Sequence, residues 1–124
     1  MNKIRPKHLS IHLIKLPLAG FVSILHRVSG ILLFLSLPLL LWVLQSSLRS
    51  IETYTKLIEI MQCPLSKLVC IGLLWAFLHH FCAGIRYLAI DLHLGSSLAH
   101  ARTSSKWVMA VSLLLTVLIG VKLC

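Results

Sequence analysis

Three long apolar blocks, separated by polar stretches, set the pattern of this chain. They cover about residues 21–44, 65–90 and 107–123. Each is close to the roughly 20 residues that a membrane-spanning helix requires. None shows the ten-residue alternation of a transmembrane β-strand, and isolated strands would leave backbone groups unpaired in lipid. The pattern therefore predicts an all-α membrane protein with three transmembrane helices.

The segments around these blocks are polar and broken by proline. Residues 1–20 form a basic stretch containing Pro6 and Pro17, which we expect to lie at the membrane surface, and residues 21–124 form the membrane anchor domain. Residues 45–62 are predicted to be a polar loop carrying a short surface helix. Cys63-Pro64 then marks the start of the second span, because proline is favoured in the first turn of a helix.

Composition agrees with the membrane class, since 58% of the residues are hydrophobic and only three are acidic. The formal net charge of +9 raises nucleic-acid binding as an alternative. The positions of the basic residues argue against this alternative. Many of them lie in the amino-terminal tail and between the second and third blocks: Lys3, Arg5, Lys7, Lys15, Arg102 and Lys106. Such a bias is typical of loops kept on the inner side, so we expect an inside amino terminus and no nucleic-acid partner.

Ionisable residues interrupt the second block between Leu78 and Asp91. On a helix, His80, Gly84 and Tyr87 share one face that continues to Asp91. An imidazole binds iron well, and a glycine one turn away leaves room for a large flat ring, so this face suggests a haem site. The alternative is a histidine that bonds a neighbouring helix or lines a proton path, with Gly84 permitting close helix packing.

Two adjacent histidines compete for the ligand role. Neighbouring helical residues point about 100° apart, so only one can face a ring. His80 has Gly84 one turn away, whereas the side of His79 continues through Ala83 to Arg86 and suits a polar contact between helices or a surface-directed charge. The spacing therefore favours His80.

A second polar cluster opens the first block, where Ser23, His26, Arg27 and Gly30 are predicted to share a helical face. Arg27 can simply anchor the helix at the interface by snorkelling. Alternatively, His26 and Arg27 can bind an anion such as a haem propionate, and Ser23 can donate to the carbonyl of a lipid-soluble ligand. With an inside amino terminus, this cluster and that of His80 lie in the same half of the bilayer.

These two motifs resemble the cytochrome b membrane-anchor subunit of succinate dehydrogenase, the respiratory complex II. The first motif comprises Arg5-Pro6, Leu16-Pro17, Ser23-Ile24 and His26-Arg27 with Gly30; the second comprises His80, Gly84-Ile85-Arg86 and Asp91. Order and spacing both fit, and the resemblance covers essentially the whole chain.

The resemblance implies a multi-subunit helical bundle in the bacterial or mitochondrial inner membrane. A second three-helix anchor subunit would join this chain in holding an iron–sulfur subunit and a flavoprotein subunit, which together oxidise succinate and reduce ubiquinone. His80 would be one axial ligand of a haem b shared with the second anchor.

Further residue roles follow from the same resemblance. Ser23 and Arg27 would belong to the quinone site, and His26 and Arg27 would lie near the haem propionates. Tyr87 stands where the family usually has histidine, so it would offer a propionate a hydrogen bond but no positive charge. No residue of this chain is expected to be catalytic. The alternatives are the anchor of a related fumarate reductase that oxidises menaquinol, a small membrane transporter, and a purely structural anchor.

Overall fold

Four helices account for nearly all of the described chain in the computed structural model, which describes residues 16–95 and 97–123. They are α1 (Leu18–Arg49), α2 (Ile51–Gln62), α3 (Pro64–Asp91) and α4 (Leu98–Leu123). No strand occurs within these ranges. Helices α1, α3 and α4 are each long and apolar enough to cross a membrane, which confirms the predicted all-α class with three candidate spans.

Each of the three long helices, α1, α3 and α4, runs beyond the apolar block that predicted it. Helix α1 continues through Pro38 to Arg49 and stops at Ser50, where a capping box starts α2. The Ser50 hydroxyl accepts a hydrogen bond from the Thr53 amide at 3.2 Å, and the Ser50 amide donates to Thr53 Oγ1 at 3.2 Å. Helix α2 is the short helix expected between residues 45 and 62, and α3 begins at Pro64.

The predicted surface segment, residues 1–20, falls largely outside the described residues. Of this segment, residues 18–20 form the first turn of α1. The basic residues at its start, and the Arg5-Pro6 part of the first motif, belong to the portion that the structure does not describe.

Small and polar side chains fill the interior where α1, α3 and α4 meet. Val22 of α1, Ala83 of α3 and Val108 of α4 form the buried apolar cluster. Around it lie buried hydroxyl residues, each donating to a carbonyl of its own helix: Ser29, Ser36, Ser105, Ser112 and Thr116. Lipid supplies no hydrophobic drive for helix association, so small side chains that let backbones approach stabilise the packing.

Helices α3 and α4 pack antiparallel along their length. Arg86 contacts Ser104 near one end, and a Cβ built on Gly120 would lie 4.0 Å from Ile71 near the other. Helix α3 packs most extensively against both α1 and α4, and α1 and α4 also contact each other. One polar cluster described below lies between α1 and α3, and the other lies between α3 and α4.

Candidate functional site

His26 of α1 and His80 of α3 meet where the two helices pack. Their rings stack with centroids 4.2 Å apart and planes 11° from parallel. The ring of Tyr87 lies 5.2 Å from that of His26. The structure thus brings together three of the five predicted site residues, from two segments more than fifty residues apart in sequence.

One ring nitrogen of His80 is occupied by α1. Its Nδ1 lies 3.0 Å from the backbone carbonyl oxygen of His26 and 3.2 Å from Ser29 Oγ. A carbonyl oxygen only accepts hydrogen bonds, so Nδ1 carries a proton, and in the neutral imidazole Nε2 is then the nitrogen with the lone pair. Metal-binding histidines are commonly held in this way, with the other nitrogen bonded to a carbonyl.

Two glycines make this approach possible. A Cβ on Gly30 would lie 3.0 Å from His80 Cε1, and a Cβ on Gly84 would lie 3.8 Å from His26 Nε2. Gly84 was predicted to leave room for a large flat ring against α3. In the structure the side chain nearest to Gly84 is His26, and the glycine that lets His80 approach α1 is Gly30.

Ser29 is a site residue that the sequence analysis did not single out. Its hydroxyl donates to the His26 carbonyl at 2.9 Å and is buried against His80. The available signal was its place three residues after His26, next to Gly30, where a small hydroxyl faces the adjoining helix.

The hydroxyl of Tyr87 is buried and has no hydrogen-bond partner among the residues the structure describes. A hydroxyl removed from water without a partner is costly, so this group calls for an acceptor. Asp91, predicted on the same face, is exposed at the end of α3.

His79 points about 100° around α3 from His80 and is completely buried. Its ring packs against Trp75 with centroids 5.3 Å apart. The Val22 backbone approaches the ring, but neither ring nitrogen meets hydrogen-bond geometry with any described residue. Arg86, on the same side, donates from Nε to Ser104 Oγ at 2.9 Å and from Nη2 to the Ala101 carbonyl at 3.3 Å. Arg86 therefore makes a polar contact with α4, which is one of the two uses predicted for this side of α3, whereas His79 is buried beside the Val22 backbone of α1.

Ser23 and Arg27 lie one turn apart on α1 with different exposure. Ser23 is half-buried, and its hydroxyl makes no hydrogen bond within the described ranges, unlike the interior serines that bond their own helix. Arg27 is exposed and makes no ion pair there. Of the predicted face, Ser23, His26 and Gly30 are half-buried, whereas Arg27 points away from the helix packing.

The described residues contain no cluster of three or more histidine, cysteine or acidic side chains that could hold a metal ion. A bare ion would therefore lack ligands here. The donor set of His80 suits an iron whose remaining ligands come from elsewhere, as the porphyrin nitrogens of a haem do.

Comparison with known protein families shows which family this sequence belongs to. The model of the "Succinate dehydrogenase/Fumarate reductase transmembrane subunit" family matches residues 1–119. The chain belongs to this family. As a member of this transmembrane family with three apolar helices, it is an integral membrane protein.

The chain is similar in sequence to curated relatives over most of their length. The chain is similar to the succinate dehydrogenase cytochrome b556 subunit of Coxiella burnetii, with 37% identity over 98% of each chain. It is similar to the protein of that name from Rickettsia felis, with 32% identity over 92% of this chain and 87% of the relative. The protein from Paracoccus denitrificans is 30% identical over 94% and 88%. The resemblance drawn from the two motifs is thereby confirmed.

Proposed function

We propose that this chain is the haem b-binding membrane anchor of a succinate dehydrogenase and contributes to its ubiquinone-reduction site. The hydrogen bond from His80 Nδ1 to the His26 carbonyl carries the proposal, because it orients the ring and leaves Nε2 as a free ligand atom. Membership of the family and the name cytochrome b556 among the relatives support the same function.

His80 would bind the iron through Nε2, and the second anchor subunit would supply the other axial histidine. When bound, the haem supplies a one-electron carrier. Helix α1 holds the ligand ring from behind through Ser29, the His26 carbonyl and the surface over Gly30. This restricts the imidazole to one tautomer and one orientation.

The propionates would be held by His26, Arg27 and Tyr87. The buried Tyr87 hydroxyl, which has no acceptor among the described residues, can donate to a carboxylate. The His26 ring adjoins both Tyr87 and His80, and the exposed Arg27 carries a fixed positive charge one residue away. A guanidinium pairs well with a carboxylate, because two parallel N–H groups can donate to its two oxygens.

Ser23 and Arg27 would bind the quinone. The Ser23 hydroxyl is not hydrogen-bonded to its own helix, so its proton is available to a quinone carbonyl oxygen. The charge of Arg27 would favour the build-up of negative charge on that oxygen during reduction. Electrons from succinate would arrive through the flavoprotein and iron–sulfur subunits, both docked at the inner face.

The anchor of a fumarate reductase that oxidises quinol is the second candidate, because the family model covers both enzymes. The curated relatives carry the succinate dehydrogenase name, which favours quinone reduction. The direction depends on reduction potentials that the partner subunits also set.

Purification of the assembled complex with its associated subunits tests the proposal. We expect stoichiometric haem b in the reduced-minus-oxidised spectrum and succinate-driven reduction of a ubiquinone analogue. The matched control is the flavoprotein and iron–sulfur pair without the anchors, which should oxidise succinate with an artificial acceptor yet fail to reduce quinone. A haem-free complex that still reduces quinone would contradict the haem role. Faster menaquinol oxidation with fumarate than ubiquinone reduction with succinate would favour the second candidate.

A further inference from the structure

A cavity of about 290 Å³ lies between the end of α3 and the start of α4. Its walls are mainly apolar, and the polar groups come from a few side chains. Its lining includes Arg86, Ile90, Leu94, His100, Thr103 and Trp107. None of these has a place in the proposed haem or quinone site.

Arg86 gives the cavity a positive charge that no described residue balances. The side chain is only 8% exposed, and the one ion pair among residues 16–95 and 97–123 joins Lys56 to Glu52 on α2. Its hydrogen bonds go to a neutral hydroxyl and a neutral carbonyl. A buried charge without a counter-ion is costly, particularly at membrane depth, so an anion from outside this chain is required.

The hydrogen bonds of Arg86 run to α4, whereas the ligand ring of His80 is bonded to α1. The Arg86 Cζ also lies 5.2 Å from the centroid of the Tyr87 ring, so a haem propionate is the competing anion. Two of the five guanidinium N–H groups are used in these bonds, which leaves donors for a further oxygen ligand. Thr103 donates to the Ala99 carbonyl, and its hydroxyl oxygen is left as an acceptor.

The depth and the lining of the cavity point to an amphiphile. Arg86 precedes the last residue of α3 by five positions, which is about 7.5 Å along the helix and within reach of the headgroup layer. Ile90, Leu94 and Trp107 provide apolar wall beside the charge. Arg102 and Lys106 are exposed on the adjoining turns of α4 and add positive potential for anionic headgroups.

We propose that this cavity binds a phospholipid, with the phosphate paired to Arg86 near His100 and an acyl chain against Ile90, Leu94 and Trp107. The lipid supplies the counter-ion of a buried cation and fills the gap between α3 and α4. The proposal depends only on the membrane location of the chain, not on haem or quinone binding.

The test measures phospholipid that stays with the purified complex after extensive detergent washing, by phosphorus assay and native mass spectrometry. We expect Arg86→Gln to lose the retained phospholipid and Arg86→Lys to keep part of it. Arg49→Gln is the matched control, because it removes the same charge from an exposed position at the far end of α1. Added phosphatidylglycerol should raise the melting temperature of the wild type and of Arg49→Gln but not of Arg86→Gln.

A second variant fills the cavity without changing its charge. Ala89 lines the cavity and is half-buried, so Ala89→Phe should displace the lipid while Arg86 keeps its bonds to α4. Ala89→Phe therefore tests whether the cavity binds phospholipid even if the Arg86→Gln complex fails to assemble. Unchanged phospholipid in Ala89→Phe, or in an assembled Arg86→Gln complex, would overturn the proposal. A partner-subunit carboxylate or a haem propionate paired with Arg86 in a structure of the complex would overturn it as well.

Discussion

Ser29 of α1 lies within hydrogen-bond distance of both the imidazole of His80 and the backbone carbonyl of His26. Its Oγ lies 3.2 Å from His80 Nδ1 and donates to the His26 carbonyl at 2.9 Å. A hydrogen bond accepted from Nδ1–H makes the opposite nitrogen more basic, which stabilises the ferric state of a bound haem. Outer bonds of this kind commonly affect metal affinity as strongly as they affect orientation.

Replacing Ser29 with alanine should raise the haem midpoint potential by tens of millivolts while the low-spin spectrum persists. For a one-electron couple, about 59 mV corresponds to a tenfold change in equilibrium constant, and the His26 carbonyl remains to hold the ring. Redox titration of the purified complex measures the shift. Ser36→Ala is the control, since Ser36 is buried on the same helix and donates only to Leu33. Equal shifts in both variants, or none in Ser29→Ala, would contradict the positioning role.

Ser23 offers the cleaner probe of the quinone site, because Arg27 is also assigned to the propionates. Loss of one hydrogen bond of about 0.5–1.5 kcal/mol should raise the apparent KM for the quinone by about two- to tenfold in Ser23→Ala. Haem content should stay unchanged. Steady-state kinetics with a ubiquinone analogue measure the effect, and Ser47→Ala, an exchange at the far end of α1, is the control. Wild-type kcat and KM in Ser23→Ala would remove Ser23 from the site.

Among the helices, the contact between α1 and α3 depends on Gly30. A Cβ there would stand 3.0 Å from His80 Cε1, so alanine must push the ring or the helix away. Overpacking typically costs about 1–3 kcal/mol, more than the roughly 0.5–1 kcal/mol that alanine gains over glycine inside a helix. Gly30→Ala should therefore lower the melting temperature and the haem content of the complex.

Gly72→Ala provides the comparison for Gly30→Ala. A Cβ on Gly72 meets nothing within 4 Å, so only the gain in helix propensity applies and stability should hold or rise. Thermal unfolding of both variants, with haem quantified alongside, separates the two effects. If the two variants behave alike, close approach at Gly30 is not what holds the ligand ring.

Apolar block length was sufficient to predict which segments are helices, because each block meets the length of a membrane span. It did not predict where they end. Helix α1 reaches Arg49 because polar residues can continue a helix after the apolar stretch ends. It stops there because Ser50 and Thr53 form the capping box that starts α2. Hydropathy follows contact with lipid, whereas helix ends follow backbone hydrogen bonding.

Helical spacing grouped Ser23, His26 and Gly30 correctly on one side of α1, and it placed His80 and His79 on different sides of α3. It included Arg27, which is exposed because it follows His26 directly and so points about 100° away. The contact of Ser29 with His80 could not be predicted, since it joins residues 51 apart and depends on how α1 crosses α3.

For the whole molecule, the distribution of lysine and arginine predicts an inside amino terminus. Reporter fusions within residues 45–62 should then give an external signal, and fusions within residues 95–105 a cytoplasmic one. The reverse pattern would invert the topology. It would also move the His80 cluster and the lipid cavity to the outer half of the bilayer, away from subunits docked inside.

The complete assembly should bind haem through His80 and not through His79. The two residues are adjacent, yet His80 presents Nε2 beside α1 while His79 is fully buried against Trp75. The most direct measurement is the reduced-minus-oxidised spectrum of purified complexes carrying His80→Leu or His79→Leu, with haem and protein quantified together. We predict that His80→Leu loses the haem or its bis-histidine low-spin signature, and that His79→Leu retains both. A normal low-spin haem in the His80→Leu complex, whatever His79→Leu shows, would contradict the account.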